Sequence, residues 1–408
     1  MKGRKHLPSG WAKELVGNLF DVQLGKMLNE KAKEGEQHPY LANFNVRWGK
    51  FDLERLNSMA FSEREQKKYT LHYGDLLVCE GGEIGRCAVW KINRSGIYYQ
   101  KALHRIRSKN EISSTEYFYF YMQYLASKRL LLKLVGETSI AHLTREKLLG
   151  LTIPLPPLPE QKAIADLLAT WDEAIEKTKR LIQEKERRFK RLLRELIFEP
   201  RNTQKGAKWE NVKLEQVCKI ASKEKLSSVD GHFLLTVKLH CLGIERNDRV
   251  APTLTERGRP YYQHKSGDFL IGRQNFHNGG FGIISPELDG GITSNAISCL
   301  IVNKSKLSKD FLWFQFANPN YYRKVGHVMD GTGQKELSDK QLLKLKICLP
   351  DLETQNQIAE ILTSTQHEID LLKQLADKYK TQKRGLMQKM LTGEWRVKSE
   401  IVNQYMEA

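Results

Sequence analysis

The sequence predicts an α+β fold. Two globular α/β domains are each followed by a long helix, the two helices pair antiparallel as a coiled coil, and the halves form a pseudo-two-fold internal repeat. Three observations predict it. At 408 residues the chain is too long for one ordinary domain. A segment near its middle returns near its end in unbroken register. Each copy of that segment carries an apolar seam long enough for a helix of about 35–40 residues, or about 50–60 Å. The boundaries are a first globular domain over 1–153, a first long helix over 154–200, a second globular domain over 201–347, and a second long helix with a C-terminal segment over 348–397.

The first domain reads as short strands divided by glycine turns. Leu76-Leu77-Val78 and Cys87-Ala88-Val89-Trp90 have strand character, and Gly81-Gly82 and Gly85 separate them. A helix is expected over 116–134. Pro154, Pro156, Pro157 and Pro159 forbid helix before the first long helix. Its seam is Ile164, Leu168, Trp171, Ile175, Thr178, Ile182, Lys185, Phe189, Leu192 and Leu196. The second domain follows the same order: Gly267-Asp268-Phe269-Leu270-Ile271 matches Gly74-Asp75-Leu76-Leu77-Val78, and a helix is expected over 309–325. Past Pro350 the second seam is Ile358, Leu362, Thr365, Ile369, Leu372, Ala376, Tyr379, Lys383, Leu386 and Met390. The other faces are charged, as in Glu184-Lys185-Glu186-Arg187-Arg188. A seam this long and regular suits a mutual coiled coil better than two core helices of a larger domain.

The repeat is carried by L-P-P-L-P-E-Q-K-A-I-A-D-L-L from Leu155 and L-P-D-L-E-T-Q-N-Q-I-A-E-I-L from Leu349, an offset of 194 residues. Gln161, Ile164, Ala165, Leu168, Ile175, Lys179, Leu181 and Leu192 all find the same residue at that offset. Upstream, Leu143, Leu148, Leu149, Leu151 and Ile153 recur as Leu337, Leu342, Leu343, Leu345 and Ile347. The loops between these anchors differ. The first copy has Cys79-Glu80-Gly81-Gly82-Glu83-Ile84-Gly85-Arg86 and the second Gly272-Arg273-Gln274-Asn275-Phe276-His277-Asn278-Gly279. A duplicated scaffold with divergent loops suits two related domains that recognise different things.

The net charge of +18 favours a polyanionic partner, nucleic acid or an anionic membrane. The basic residues spread over the whole chain rather than forming one tail, which favours nucleic acid. No stretch approaches the roughly 20 apolar residues that span a bilayer, and no apolar run follows the basic start Met1-Lys2-Gly3-Arg4-Lys5-His6, so no secretory signal is expected. Cys79, Cys87, Cys218, Cys241, Cys299 and Cys348 include no C-x-x-C pair and no histidine at zinc-ligand spacing. Neither disulfide nor metal is expected, and the scattered thiols suit a reducing cytoplasm.

Four stretches carry a family resemblance: the run at 155–165, its echo at 349–359, G-D-L-L-V-C-E-G-G-E-I-G-R-C-A-V-W at 74–90, and Leu391-Thr392-Gly393-Glu394-Trp395-Arg396-Val397. Together they resemble the specificity subunit (HsdS) of type I restriction-modification systems, over nearly the whole chain and in that family's order of domain, helix, domain, helix. The chain departs from the family at Asp351 and Thr354, where Pro and Glu are common, and in the second domain, which lacks the C-E-G-G-E loop. The second departure leaves the target of that domain open. The resemblance implies that each globular part is a target recognition domain reading one half of a split site in double-stranded DNA. It implies two methyltransferase subunits as partners, with restriction (translocase/nuclease) subunits as further ones. It also implies methyl transfer from S-adenosylmethionine to adenine N6 by the methyltransferase partners, this chain binding no cofactor.

Lysine and arginine neutralise phosphates, while arginine, asparagine and glutamine read base edges through paired hydrogen bonds. The DNA-binding candidates of the first domain are Arg47, Lys50, Lys67, Lys68, Arg86, Lys101, His104 and Arg105. Those of the second are Lys238, His240, Arg257, Arg259, Tyr261, His264, Arg273, Gln274, Asn275, His277 and Asn278, with 273–278 the sharpest cluster. His240 reads equally well as a core histidine. Catalytic motifs are missing. Asn318-Pro319-Asn320-Tyr321 fails the amino-methyltransferase pattern at its third position and reads as a turn after a helix, and Gly279-Gly280-Phe281-Gly282 is too weak for a nucleotide loop. A specificity subunit of a two-subunit type II enzyme, a stand-alone DNA-modifying enzyme and a non-reading coiled-coil scaffold are the other readings.

The seams also set a register. Antiparallel pairing of Ile164 with Met390 brings Leu168 to Leu386, Trp171 to Lys383, Ile175 to Tyr379, Ile182 to Leu372, Lys185 to Ile369, Phe189 to Thr365, Leu192 to Leu362 and Leu196 to Ile358, so no two polar seam residues meet. In that register the Lys383 stem covers the Trp171 ring. Cysteines placed at 164 and 390 should cross-link readily and cysteines at 164 and 358 should not; the reverse yield on a gel overturns the register.

Overall fold

The computed structural model describes residues 7–29, 35–110, 112–135, 142–199, 209–254, 258–327, 329 and 336–406. The chain divides into two compact units, Met1–Lys179 with Gln374–Ala408, and Arg180–Lys373.

The first unit is built on a four-stranded antiparallel sheet in the order Phe20–Leu24, Leu103–Ser108, Leu76–Cys79, Cys87–Val89. Strand alternation splits its side chains between two cores. Leu76, Val78 and Ile106 pack with Tyr117, Phe118 and Met122 of the helix Thr115–Ser127. Leu77, Cys79 and Ala88 face a second core with Tyr40, Met59, Phe61 and Tyr99, residues of a three-stranded sheet ordered Asn57–Ala60, Gln37–Leu41, Tyr98–Tyr99 and of its neighbourhood. The expected helix over 116–134 is two helices, Thr115–Ser127 and Leu130–Val135, broken where Arg129 takes a left-handed φ of 55°.

The second unit repeats the central sheet strand for strand: Cys218–Ile220, Ile297–Val302, Phe269–Gly272, Phe281–Ile283, again antiparallel. In both units a short strand before the sheet pairs antiparallel with the strand that leads into the long helix, Ala12–Leu15 with Thr152–Leu155 and Glu210–Lys213 with Lys346–Leu349. The expected helix over 309–325 is also two helices, Lys309–Phe316 and Pro319–Val325. Pro319 cannot continue the first, and Asn318 caps the second by accepting from the Asn320 N–H at 2.9 Å.

The Gly-Asp pair that opens the third strand of each sheet makes the same turn twice. Gly74 and Gly267 take φ of 91° and 83°, which only glycine adopts without strain. The Asp75 and Asp268 carboxylates accept the backbone N–H groups of His72 and Lys265. Their counter-ions come from different places. Asp75 is held in a fork by Arg107, at 2.6 and 2.7 Å. Asp268 is held by Lys223 at 2.5 Å, and the same ammonium lies 3.0 Å from Nδ1 of the buried His264, whose Nε2 meets Thr293 Oγ1 at 2.7 Å. Burial raises the Asp268 pKa, but the neighbouring His264 ring, the Lys223 ammonium and the Lys265 N–H more than offset it, so the carboxyl sits well below its usual range.

One residue fixes the start of each long helix to its domain. Gln161 and Gln355 are both 0 % exposed. Gln161 accepts the Ser114 N–H at 2.9 Å and donates to the carbonyls of Ile112 and Pro156, both at 2.8 Å. Gln355 accepts the Ser308 N–H at 2.9 Å and donates to Lys306 O at 3.1 Å and Pro350 O at 2.8 Å. The three bonds are the same at the repeat offset, and they satisfy backbone groups that the proline-rich entry and the domain helix leave unpaired.

The long helices run Leu158–Leu193 and Leu352–Leu391, the first ending in a π-helical turn, Arg194–Phe198. They pair antiparallel within each unit. In the first, Ile164, Ala165 and Leu168 share a core with Met387, Met390 and Leu391. In the second, Ile358, Ala359 and Leu362 share one with Ile197, and Phe189, Leu192 and Leu196 pack against it. All apolar seam residues are buried or half-buried. The register is corrected in its detail. The Trp171 ring meets Tyr379 edge-on at 5.7 Å, and Lys383 turns its ammonium to Asp172 at 2.6 Å, Gln123 at 3.0 Å and the face of Phe120. Lys185, set opposite Ile369, reaches the adjacent Glu368 at 2.6 Å. A seam lysine is too long and too polar to lie flat in the layer, so each finds a carboxylate at its edge.

The copies differ again at a second buried acidic residue. Glu160 is 1 % exposed. It accepts Trp11 Nε1 at 3.1 Å and two Arg396 nitrogens at 3.0 and 2.6 Å, while Arg396 also donates to Ser9 O at 3.0 Å. At the repeat offset the second copy has Thr354, which bonds Asp351 instead, and Trp209 Nε1 is buried without a partner among the described residues.

Two outcomes follow from this geometry. Gln161→Leu or Gln355→Leu keeps the volume but strands a buried N–H and two carbonyls; each should cost about 2–4 kcal/mol, read as a lower urea midpoint, and an unchanged midpoint overturns the role. His104 and His264 both have pKa values lowered by burial. The unfolded chain therefore takes up protons first as pH falls below about 6.5, so stability should drop between pH 7 and 5.5. In His264→Gln the drop should be smaller; a midpoint independent of pH over that range overturns the assignment.

Candidate nucleic-acid interface

In both units the loop between the third and fourth strands is hung from the same backbone bonds. In the first, Glu80 N–H donates to Ala102 O at 2.9 Å and Leu143 N–H to Glu80 O at 2.8 Å. In the second, Arg273 N–H donates to Ala296 O at 3.2 Å and Leu337 N–H to Arg273 O at 3.0 Å. Glu80 and Arg273 thus hold one structural position with opposite charge.

The 273–278 cluster is displayed by an anchor in its middle. Phe276 is 0 % exposed and its ring meets those of Phe281 and Phe316 at 5.4 and 5.1 Å. Around it Asn275 is exposed, and Arg273, Gln274, His277 and Asn278 are half-exposed. Arg273 is paired with Glu336 at 2.8 Å, so it ties the loop to the following segment as well as facing outward. Asn278 Nδ2 lies 3.1 Å from His277 Nε2.

A hairpin missed by the sequence reading lies against this loop. Strands Leu234–Val237 and Ile244–Asn247 are joined by residues 238–243. At its tip His240 and Cys241 both take φ of 59°, the left-handed geometry of a two-residue hairpin turn but without the usual glycine or asparagine. Such residues cost of order 1–3 kcal/mol each unless held in place. Here they are held, because the His240 N–H donates to Asn278 O at 2.7 Å and the Cys241 N–H to Gly279 O at 2.9 Å. A Cβ on Gly279 would lie 2.9 Å from Cys241 N, so glycine is needed for the approach. His240, read equally as a core residue, is exposed. Lys238 pairs with Glu245 at 2.8 Å.

The remaining candidates scatter. Arg47 and Lys50 face each other across a tight exposed turn, and Lys67 and Lys68 end the helix Glu63–Tyr69 on the surface. Lys101 and Arg259 are exposed and Tyr261 is half-buried in the strand Tyr261–Gln263. Arg86 is turned inward, donating to Asn43 O at 2.8 Å and pairing with Glu83 at 3.2 Å, so it braces the Gly81–Gly82 loop that Asn43 also holds through Gly81 O. Three candidates are corrected outright. His104 is 0 % exposed and bonds Leu143 O, Arg105 is 7 % exposed and pairs with Asp21, and His264 is 1 % exposed within the Lys223–Asp268 network. His104 and Arg105 are turned inward by the strand Leu103–Ser108 and His264 lies buried just past the strand Tyr261–Gln263, so none can reach a base or phosphate. Arg257 lies outside the described residues.

His264, Asp268 and Cys299 are the one metal-ligand grouping among the described residues. The Lys223 ammonium lies between the first two and plays the part that Arg107 plays for Asp75, so this cluster has its cation from the protein. Burial pushes the Cys299 thiol up to about 12. Cys79 and Cys241 are pushed up to about 11 for the same reason. No helix among the described residues is long and apolar enough to cross a membrane.

Comparison with known proteins places this arrangement. The family described as type I restriction modification DNA specificity domain matches residues 8–187 and again 206–380. The type I restriction enzyme MjaVIII specificity subunit of Methanocaldococcus jannaschii is 25% identical over 96% of this chain and 95% of its own length. The crystal structure of the type I restriction-modification S subunit from M. genitalium has a TM-score of 0.60 at 15% identity, covering 96% of this chain and 98% of that one. A chain from the structural study of complex assembly and conformational transition of the type I R-M system has a TM-score of 0.54 at 17% identity, covering 96% and 100%. With two tandem matches that span most of its length, the chain belongs to the type I restriction-modification DNA specificity family, as a specificity subunit with two recognition domains.

Proposed function

We propose that this subunit is the non-catalytic reader of a type I complex. It binds double-stranded DNA through its two domains, one per half-site, and presents the DNA to two adenine-N6 methyltransferase subunits and to restriction subunits. S-adenosylmethionine is held by the methyltransferase partners, in the cytoplasm. The observation that carries this reading is the loop hung from identical backbone bonds in both units, with Glu80 in one and Arg273 in the other. A common frame with opposite charges at one position is what two readers of different base sequences need. Support for a non-catalytic role comes from Asn318, whose side chain caps a helix and is not free to hold a flipped base. The similarity in fold to a chain from a study of type I complex assembly supports the partners.

Exchange of residues 273–278 should change one half of the methylated sequence and leave the other intact, as read by sequencing methylated adenines in cells that carry the complex. A change in both halves, or in neither, overturns the reading. The purified chain with S-adenosylmethionine and DNA should methylate nothing until the methyltransferase partner is added; methylation by the chain alone would make it an enzyme.

A further inference from the structure

The hairpin tip at 238–243 carries a side chain that the fold does not use. Leu242 is 69% exposed, and Leu239 across the turn is 37% exposed. The turn is closed by Lys238 N–H to Gly243 O at 2.8 Å and by Leu242 N–H to Leu239 O at 3.2 Å. Its two left-handed residues are pinned to the 273–279 loop through Asn278 O and Gly279 O. Leu242 is thus an apolar group on a rigid mount, in the same turn as His240 and Cys241, whose N–H groups are held by Asn278 O and Gly279 O. Arg246 and Arg249, both exposed, lie on the same hairpin and the segment after it.

This setting argues for DNA rather than for a protein partner. A protein interface would need a contiguous apolar patch, whereas Leu239 and Leu242 share their hairpin and the segment after it with His240, Arg249 and the Lys238–Glu245 and Arg246–Asp248 ion pairs. Among the base edges of the major groove, thymine alone offers an apolar group, its C5-methyl, and apolar side chains are what read it. Resting on the DNA-reading function proposed above, we propose that Leu242 reads a thymine methyl in the half-site bound by the second domain, with the pinned turn setting its position.

The test uses the chain in complex with its methyltransferase partners and the DNA site they methylate. Each thymine of the second half-site is replaced in turn by deoxyuridine, which removes the methyl and keeps every hydrogen bond. One replacement should weaken binding about four-fold, the worth of one buried methyl-sized group. Leu242→Ala should bind thymine and deoxyuridine sites equally, Leu242→Met should restore a preference, and neither should affect replacements in the first half-site. The proposal is overturned if Leu242→Ala keeps the full preference, if no thymine there is methyl-sensitive, or if that half-site contains no thymine. In each of those cases sequence-selective binding would persist. Loss of selectivity by the unsubstituted complex would instead overturn the DNA-reading function, and this proposal with it.

Discussion

A helix of 36 or 40 residues that leaves a globular domain can swing at its root unless something fixes the first turn. In this chain the fixing group is a buried glutamine amide, used twice. A glutamine carries one acceptor and two donor hydrogens, and here all three point at backbone groups of three different segments: the loop before the domain helix, the cap of that helix, and the prolines at the entry. Neither leucine nor glutamate could replace it, the first lacking polar atoms and the second lacking donors. The orientation of each long helix, and so the depth at which its seam enters the core, hangs on that amide.

The frame around it is conserved between the halves of the molecule while the surface is free to vary. The central sheets match strand for strand, the Gly-Asp turns match bond for bond, and yet Asp75 takes its cation from a neighbouring strand whereas Asp268 takes it from Lys223. The duplication has kept the backbone and replaced the partners. The same freedom, used on the loop between the third and fourth strands, is what separates Glu80 from Arg273.

The frame was legible in the sequence because it is written in periodicity. Two seams in one register, prolines at fixed places and a repeated Gly-Asp are local signals, and they gave the fold, the helices and the pairing direction. The candidate interface was only partly legible. Composition marks residue types, but it cannot say which way a side chain on or just past a strand points, so His104, Arg105 and His264 were placed on a surface they never reach. Loop 273–278 was found because base-reading residues crowd together there. The hairpin at 238–243 escaped because its left-handed turn is made by histidine and cysteine, and because the bonds that hold it come from residues far along the chain. The break after Ser127 was missed for a similar reason, since it depends on a single left-handed arginine, whereas the turn at Asn318-Pro319 was legible although the expected helix runs through it.

The first unit draws part of its core from the far end of the chain. Met387, Met390 and Leu391 pack with Ile164 and Leu168, and Arg396 closes over Glu160 and Ser9. The second unit, Arg180–Lys373, needs no such help. On the ribosome this reverses the usual order, in which the N-terminal part folds first. The earlier-made half must wait, its apolar helix face uncovered, while the later-made half can close as soon as it emerges. A stalled or shortened product that stops before residue 374 would carry a finished second unit and an unfinished first one, and quality control would meet the defect at the N-terminal half although the missing residues are at the other end.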